Sequence, residues 1–248
     1  MTIPTKYRGI YSQSFHDNQR DEARFNAEVT THLDTLGSQP SGNQLLDELT
    51  ALSNRRSHKL TIREKPLSRR GPMAEPVLSG HQLQRHPDLE SYEEIREVAG
   101  NHYALEKDNR PNVGSSVVVS WSAHQTSMGL DRDGYPTCPT ASNNDKVSLL
   151  AHELVHAKHM MAGTWKGSYE DRNDASTASG QEELRAVGMG RYAYSLTGAP
   201  SENSVRAEHG LPLRHSYCKR GYVPDPRERT PRSSGLRGLL RFLGRVDG

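Results

Sequence analysis

The chain has 248 residues, of which only 33% are hydrophobic, so it is long enough for one large domain with a modest core. Its 32 basic and 30 acidic residues leave a net charge of +2, and since residues 224–248 hold +3, the remaining 223 residues are at about −1, which argues against a nucleic-acid-binding body. Two cysteines, Cys138 and Cys218, are too few for a disulfide framework, and no apolar run approaches the ~18 residues that span a membrane.

The first 64 residues alternate between strand-like and helix-like patterns. The first 20 residues lack the apolar centre of a secretory signal peptide, so we expect none. Apolar residues then recur at helical spacing, at Phe25, Val29, Leu33 and Leu36. In order, the patterns predict a strand at 6–12, a helix at 21–36, a turn at 37–42, a helix at 43–52 and a strand at 58–64.

The middle of the chain is richer in loop signals. Residues 65–87 contain many Pro, Gly and Arg residues and are predicted as a loop, and 88–100 as a helix that ends at Gly100. The β-branched run SSVVVSW at 115–121 predicts a buried strand. Residues 131–144 are rich in turn residues; their DRDG resembles the start of a calcium loop but lacks the remaining loop ligands.

The segment SLLAHELVHAKHMMAGTW, at 148–165, contains the pattern HExxH. We predict a helix at 144–162, which places His152 and His156 one turn apart on one face, where both rings can bind the same metal ion. Glu153 follows His152 and is placed to hold a water on that ion. The alternative is a surface helix that carries two histidines by chance, but the apolar residues around the motif favour a buried helix.

A catalytic zinc needs a third protein ligand, and His159 is the first residue to consider. It falls on the same face as His152 but lies ~10 Å further along the helix axis. Two rings one turn apart can bind zinc at ~2 Å, whereas three rings over two turns cannot. We therefore expect His159 to lie beside the site, and the third ligand to come from another element.

That ligand is expected in the second helix, predicted at 181–196 after a polar loop at 164–180. Ser179 and Glu182 match the S-x-x-E capping box, which gives Glu182 a structural role at the start of the helix. Glu183 shares a face with small residues that would allow close packing against the HExxH helix. This favours Glu183 as the third metal ligand, while both acids could instead be ordinary first-turn residues.

The C-terminal part continues with segments at 201–210 and 211–223 and then changes character. We predict one domain at 1–223 and a basic Pro- and Arg-rich tail at 224–248, with six arginines and three acids. The tail ends in LRGLLRFLGRV, which as a basic amphipathic helix could contact a membrane surface weakly or a partner; an unfolded tail is the alternative.

The fragments HELVHAKH, EELRAVG and RHSY resemble, in order and wording, the zinc site of clostridial neurotoxin light chains. More closely, the order of elements from KYRGIYS onward, with LLAHELVHA and GLPLRHSY, resembles the NleD-like (XopG-type) family of type III secreted effector zinc metalloproteases. The resemblance implies an α+β, zincin-like fold of the gluzincin type, with an HExxH helix and a second helix that supplies a glutamate.

The resemblance also implies the role of each residue. His152, His156 and Glu183 would bind Zn²⁺, Glu153 would be the general base, and the downstream Arg-x-x-Tyr maps to Arg214 and Tyr217, which would stabilise the oxyanion. Members of the effector family cleave host MAP kinases, and the neurotoxins cleave SNARE proteins. We therefore expect a monomeric endopeptidase that is exported by a type III system into the host cytosol and cleaves a host protein.

Two other functions stay open from the sequence. One is an effector without protease activity that binds metal and sequesters a host partner, although intact Glu153, Arg214 and Tyr217 argue against it. The other is a zinc hydrolase of a small molecule. His209 and His215 flank the Arg-x-x-Tyr segment and are interpreted as ordinary histidines rather than ligands.

Overall fold

A computed structural model describes residues 2–16, 18–65, 71–122, 127–140, 143–167 and 170–221. The tail predicted at 224–248, with its amphipathic segment, lies outside the described residues. The described residues form a mixed α+β structure, which confirms the predicted fold class at this level. Their buried apolar side chains form one core cluster to which both the sheet and the helices contribute.

The centre of the fold is a five-stranded sheet with the strand order β1-β2-β3-β5-β4. The three inner strands run parallel, and the two outer strands, β1 and β4, run antiparallel to their neighbours. Parallel inner strands are buried on both faces, which explains the β-branched run in β5. The strands are β1 (Thr2–Pro4), β2 (Ile10–Gln13), β3 (Leu60–Glu64), β4 (Met73–Val77) and β5 (Ser116–Trp121). A separate hairpin pairs β6 (Ser127–Leu130) with β7 (Pro136–Thr140).

Two long helices connect β2 to β3. The Asn18 side chain caps α1 (Gln19–Gly37) by accepting a hydrogen bond from the backbone N–H of Asp21. Only two residues separate α1 from α2 (Pro40–Arg56). Pro40 is tolerated in the first turn of α2, because a backbone N–H at that position has no partner within the helix. The turn predicted at 37–42 was therefore too long.

Helix α5 (Asn143–Ala162) lies at the middle of the molecule. It packs against α2, β5 and α8 (Glu202–Glu208), and also against β4 and α6 (Ala178–Val187). Most of its apolar residues are buried, with Leu149 and Ala162 half-buried, and four of its ionisable side chains are buried too: His152, Glu153, His156 and His159. A helix buried on nearly every side must satisfy its polar groups within the protein, so each of these four needs a partner there.

Several predicted elements are confirmed with small shifts of their ends. The helix predicted at 21–36, the strands at 58–64 and 115–121 and the helix at 144–162 correspond to α1, β3, β5 and α5. The strand predicted at 6–12 begins only at Ile10. The helix predicted at 181–196 is confirmed only in its first half: α6 begins at Ala178 and ends at Val187, and Gly188, with a φ of 81°, is its left-handed cap. A short 3₁₀ turn and α7 (Tyr194–Thr197) follow.

Other predictions were wrong. The segment at 65–87, predicted as a loop, contains β4 and α3 (Gly80–Leu83). β4 is an outer strand, and such a strand tolerates Pro76, which lacks the N–H that an inner strand would need. Gly100 does not end a helix, because α4 (Tyr92–Val98) continues into a π-helical turn at Ala99–Ala104. The turn-rich segment at 131–144 includes β7.

Gly114 sets the approach between β5 and the end of α5, and this gives a stability prediction. Its φ is +83°, and a Cβ there would lie 2.0 Å from the carbonyl oxygen of Met161. We expect Gly114→Ala to lower the free energy of unfolding by ~1–3 kcal/mol, because the new Cβ strains the backbone and displaces α5. Urea unfolding followed by circular dichroism measures it. Gly80→Ala is the control, because a Cβ at Gly80 meets no heavy atom within 4 Å; equal midpoints for both variants would contradict the argument.

Candidate metal centre

Helices α5 and α6 bring three ligand atoms together. The Nε2 atoms of His152 and His156 lie 3.1 Å apart, as expected for residues one turn apart on the same face. Each of these atoms is also 3.1 Å from Oε2 of Glu183 on α6. In the described part of the chain, no other group of three His, Cys, Asp or Glu side chains converges closely enough to hold a metal ion.

The other nitrogen of each ring meets a carboxylate. Nδ1 of His152 lies 3.0 Å from Oε2 of Glu202, and Nδ1 of His156 lies 3.2 Å from Oε1 of Glu182. With a metal ion bound at the Nε2 atoms, each Nδ1 would keep the proton that it donates to its carboxylate, and each Nε2 would present a lone pair to the ion. This is the arrangement of a metal-binding histidine whose ring orientation is fixed by an acid.

These contacts fit a zinc ion. Two imidazole nitrogens and one carboxylate oxygen lie 3.1 Å from one another in a buried position, and a cation between them could accept a lone pair from each. A tetrahedral zinc with bonds of ~2 Å requires ligand atoms ~3.3 Å apart, close to the observed spacing. Two imidazoles and one carboxylate also form a ligand set typical of catalytic zinc.

Glu182 has a different role from the predicted one. The cap of α6 is Thr177, whose hydroxyl accepts a hydrogen bond from the Gly180 N–H, while Ser179 lies inside the first turn. The predicted capping box of Ser179 and Glu182 is therefore wrong, because α6 begins earlier than the sequence pattern indicated. The buried Glu182 carboxylate instead contacts two imidazoles of α5 and accepts a hydrogen bond from the Lys166 N–H.

His159 is the second imidazole that contacts Glu182. Its Nδ1 lies 2.6 Å from Oε1 of Glu182, and it is not part of the group formed by His152, His156 and Glu183. Burial lowers the pKa of His159 to about 4, and the nearby Glu182 charge offsets this only in part. The ring is therefore neutral at pH 7 and donates its Nδ1 proton to Glu182.

Glu202 is a site residue that the sequence analysis missed. It is 0% exposed at the start of α8, and its carboxylate accepts hydrogen bonds from His152, Arg206 and Arg214. Burial would raise the pKa of Glu202, but the charge of Arg214, the hydrogen bond from His152 and the charge of Arg206 outweigh it and hold the pKa well below its usual range. The only local signal was the i,i+4 pair with Arg206, which in sequence looks like an ordinary surface ion pair.

Arg214 lies behind His152 rather than in the open part of the site. The residue is 4% exposed, and its guanidinium donates to Glu202 and to the backbone carbonyl oxygens of Ser216 and Tyr217, at 3.0, 3.0 and 2.7 Å. It also lies over the Tyr217 ring, 4.8 Å from the centroid. These contacts favour a positioning role for Arg214.

Tyr217 lies beside the first histidine. Its ring is stacked on that of His152, with centroids 6.4 Å apart and planes inclined by 18°. Burial, together with the negative charge of Glu183, raises the pKa of Tyr217 well above its usual value. The phenol is therefore protonated at any physiological pH and is available as a hydrogen-bond donor.

Glu153 is oriented by the outer strand of the sheet. Its Oε2 accepts a hydrogen bond of 2.8 Å from the backbone N–H of Ala74 in β4. No hydrogen bond to its Oε1 is found within the described residues, so this atom is available to accept a proton. The arrangement places the carboxylate of HExxH on the side of α5 that faces β4.

The remaining residues singled out in the sequence lie outside the group of metal ligands. His209 is half-buried, and its buried Nε2 has no hydrogen-bond partner among the described residues. His215 donates its backbone N–H to the carbonyl oxygen of Gly134. The Sγ of Cys218 lies 3.3 Å from the carbonyl oxygen of Asn173, which ties the segment after Tyr217 to the loop before α6.

Comparison with known proteins gives one family and several distant structures. The family model of Peptidase M91, described as "Effector protein", matches residues 13–217. The catalytic domain of Clostridium botulinum neurotoxin serotype F is 12% identical, with a TM-score of 0.45, over 77% of this chain and 56% of that chain. The serotype F light chain is 10% identical, with a TM-score of 0.48, over 94% and 87%. The light chain of botulinum neurotoxin serotype HA is 10% identical, with a TM-score of 0.42, over 69% and 52%. No curated protein matches.

Removal of the third ligand should affect zinc binding more than removal of a residue behind the ligands. We expect Glu183→Ala to weaken zinc affinity by more than the ~10–100-fold typical of residues that only orient a ligand. Competition with a chromogenic chelator measures the dissociation constant. His159→Asn is the comparison, because His159 contacts only Glu182 of this group. If Glu183→Ala binds zinc as tightly as His159→Asn, the ligand assignment is wrong.

Glu202 should affect zinc binding without touching the ion. We expect Glu202→Gln to weaken zinc affinity by ~10–100-fold, because His152 loses the acceptor that fixes its ring. The same chelator competition measures the effect, with Glu93→Gln as the control, since Glu93 is an exposed acid on α4 whose ion pair is with Arg96 and not with a residue of the metal centre. Unchanged affinity in Glu202→Gln would show that the contact with His152 is incidental.

Proposed function

The chain belongs to the Peptidase M91 family of effector proteins, and on that premise we propose that it is a zinc-dependent endopeptidase of the HExxH, gluzincin type that cleaves a protein of a host cell. Family membership confirms the resemblance to NleD-like effectors and supports a metallopeptidase. The single observation that supports zinc catalysis best is the convergence of His152, His156 and Glu183, with Glu153 next to them on α5.

When bound by His152, His156 and Glu183, zinc would supply Lewis-acid chemistry that favours attack of water on a carbonyl group. The protein contributes a base in Glu153. Its Oε1 takes a proton from the attacking water while the water oxygen bonds to the carbonyl carbon. The same carboxyl group then gives the proton to the nitrogen as the C–N bond breaks, and the second proton of the water also passes to the amine, which leaves a carboxylate and an ammonium group as products.

Tyr217 is proposed to assist this reaction as a donor. The phenol is protonated and stacked beside His152, so it can donate to the carbonyl oxygen as negative charge develops there. One such donor typically contributes ~10²–10³-fold to the rate. The resemblance also implied an oxyanion role for Arg214, but its contacts with Glu202 and two carbonyl oxygens support a role in holding His152 and Tyr217 in place.

The position of Glu153 beside an outer strand supports a polypeptide substrate. Among the described strands, β4 pairs only with β5, so its other edge faces α5 and Glu153. An extended peptide can lie along such an edge and donate its own N–H groups to the strand's carbonyl oxygens, because the Ala74 N–H is engaged with Glu153 and Pro76 has none. A site that opens along a strand edge favours a chain-like substrate over a compact small molecule.

Effector family membership supports export from the producing cell and a target inside a host cell. We propose the type III route, the host cytosol as the place of action, a monomeric state, and host kinase signalling as the substrate class, all following from the family resemblance. In the part of the chain that the structure describes, no helix has the length and apolar character needed to cross a bilayer.

A substitution of the base tests the proposed function. The zinc-loaded full chain is incubated with a host-proteome-derived peptide library, and new termini are identified by mass spectrometry. We expect wild-type protein and Glu93→Gln to cut the same bonds, and Glu153→Gln to lose ~10²–10⁴-fold in rate while it retains zinc and fold. Equal cleavage by Glu153→Gln would refute the mechanism. A zinc-loaded wild type that cuts nothing would favour the alternative of a metal-binding effector that sequesters its partner.

A further inference from the structure

We propose that Arg172, in the loop before α6, is the cation that meets the scissile carbonyl oxygen as negative charge develops on it. This inference rests on the proposed peptidase function and adds a catalytic residue to it. The sequence resemblance placed that role on Arg214. Three observations on the described residues lead to Arg172 instead: the contacts of Arg214, the anchoring of the loop that contains Arg172, and the surroundings of the Arg172 guanidinium.

The first observation is that the charge of Arg214 is already engaged. Its Nε–H and both of its terminal nitrogens donate within the protein, and the residue is buried. Glu202 accepts one of these bonds and is itself fully buried. For Arg214 to reach a substrate oxygen it would have to leave Glu202, and a buried carboxylate would then lose part of its charge compensation.

The second observation is that the loop around Arg172 is fixed against the Tyr217 segment. Asp171, just before Arg172, is buried; its carboxylate accepts a hydrogen bond from the Asn173 N–H, and its carbonyl oxygen accepts one from the Thr177 hydroxyl. Asn173, just after Arg172, contacts Cys218 through its carbonyl oxygen. Arg172 is therefore held between two anchored residues, next to the segment that carries Tyr217.

The third observation is that the Arg172 side chain is exposed and unpaired beside charged groups of the site. Within the described ranges, no residue forms a hydrogen bond or ion pair with its guanidinium. The pKa of Arg172 is raised first by Tyr217 in its ionised form and then by the carboxylates of Glu183 and Glu153. Because Tyr217 is protonated at physiological pH, the charges that Arg172 meets there are those of the two carboxylates. By contrast, the other arginines around the centre, Arg185, Arg206 and Arg214, all have carboxylate partners.

These features match what oxyanion stabilisation requires. A guanidinium keeps its charge at any physiological pH and presents N–H groups in a fixed plane. On the substrate side, the carbonyl oxygen gains negative charge only as the water adds, so a cation placed there stabilises the transition state more than the bound substrate. Arg172 and Tyr217 would then donate to that oxygen together, while Arg214 holds Glu202 and, through it, His152.

The test compares Arg172→Gln and Arg172→Lys with Arg55→Gln, a control at an exposed arginine in the last turn of α2. On a peptide that the wild type cleaves, Arg172→Gln should lower kcat by ~10²–10³-fold with little change in KM, Arg172→Lys should recover part of the loss, and Arg55→Gln should have no effect. Zinc affinity should be unchanged in all three. A rise in KM with kcat unchanged would overturn the proposal, because Arg172 would then stabilise the bound substrate and the transition state equally.

A binding measurement keeps the test independent of turnover. Titration calorimetry on the zinc-loaded full chain compares a phosphinic tripeptide, which carries an anionic tetrahedral group, with the hydroxamate of the same side chains. We expect Arg172→Gln to lower the affinity for the phosphinic peptide by ~10²-fold, because that ligand mimics the transition state. The affinity for the hydroxamate should be unchanged. Equal phosphinic affinity in wild type and variant overturns the proposal. Failure of the proposed function shows separately, as wild-type protein that cuts no peptide in the library.

Discussion

The structure depends on the need to satisfy four ionisable side chains on a helix that is buried on nearly every side. Leaving an imidazole or carboxylate unpaired inside a protein costs several kcal/mol, so each of these groups on α5 requires a partner from another element. Helix α6 supplies Glu182 and Glu183, α8 supplies Glu202, and the outer strand supplies the Ala74 N–H. The elements that surround α5 are thus the elements that complete the metal centre.

The partners form alternating layers of charge around the centre. Behind the two histidines lie the carboxylates of Glu182 and Glu202, and behind these lie Arg185, Arg206 and Arg214. Each buried acid is therefore compensated by cations or N–H donors, which keeps the pKa of Glu182 and Glu202 well below the usual value despite their burial. The same compensation orients both rings, so stability of the core and preparation of the site come from the same contacts.

The sequence was informative where the chemistry is local. The HExxH helix and Glu183 follow from helical periodicity and from which face of a helix a residue occupies, and the structure brings these residues together. Glu182 was misassigned because α6 begins at Ala178, three residues before the predicted start at 181, so Ser179 is not the capping residue. β4 was missed because MAEPV lacks the pattern of a buried strand, and Glu202 because no pattern within α8 indicates a histidine on α5. These contacts arise from the packing of distant segments.

The bond between Ala74 and Glu153 has a consequence for how such proteins can diverge. The donor is a main-chain N–H, so any residue except proline at position 74 could orient the base in the same way. Selection at that position would act on the path of the backbone and not on the identity of the side chain. A contact of this kind can persist among relatives while the amino acid changes freely, and no comparison of sequences would identify it.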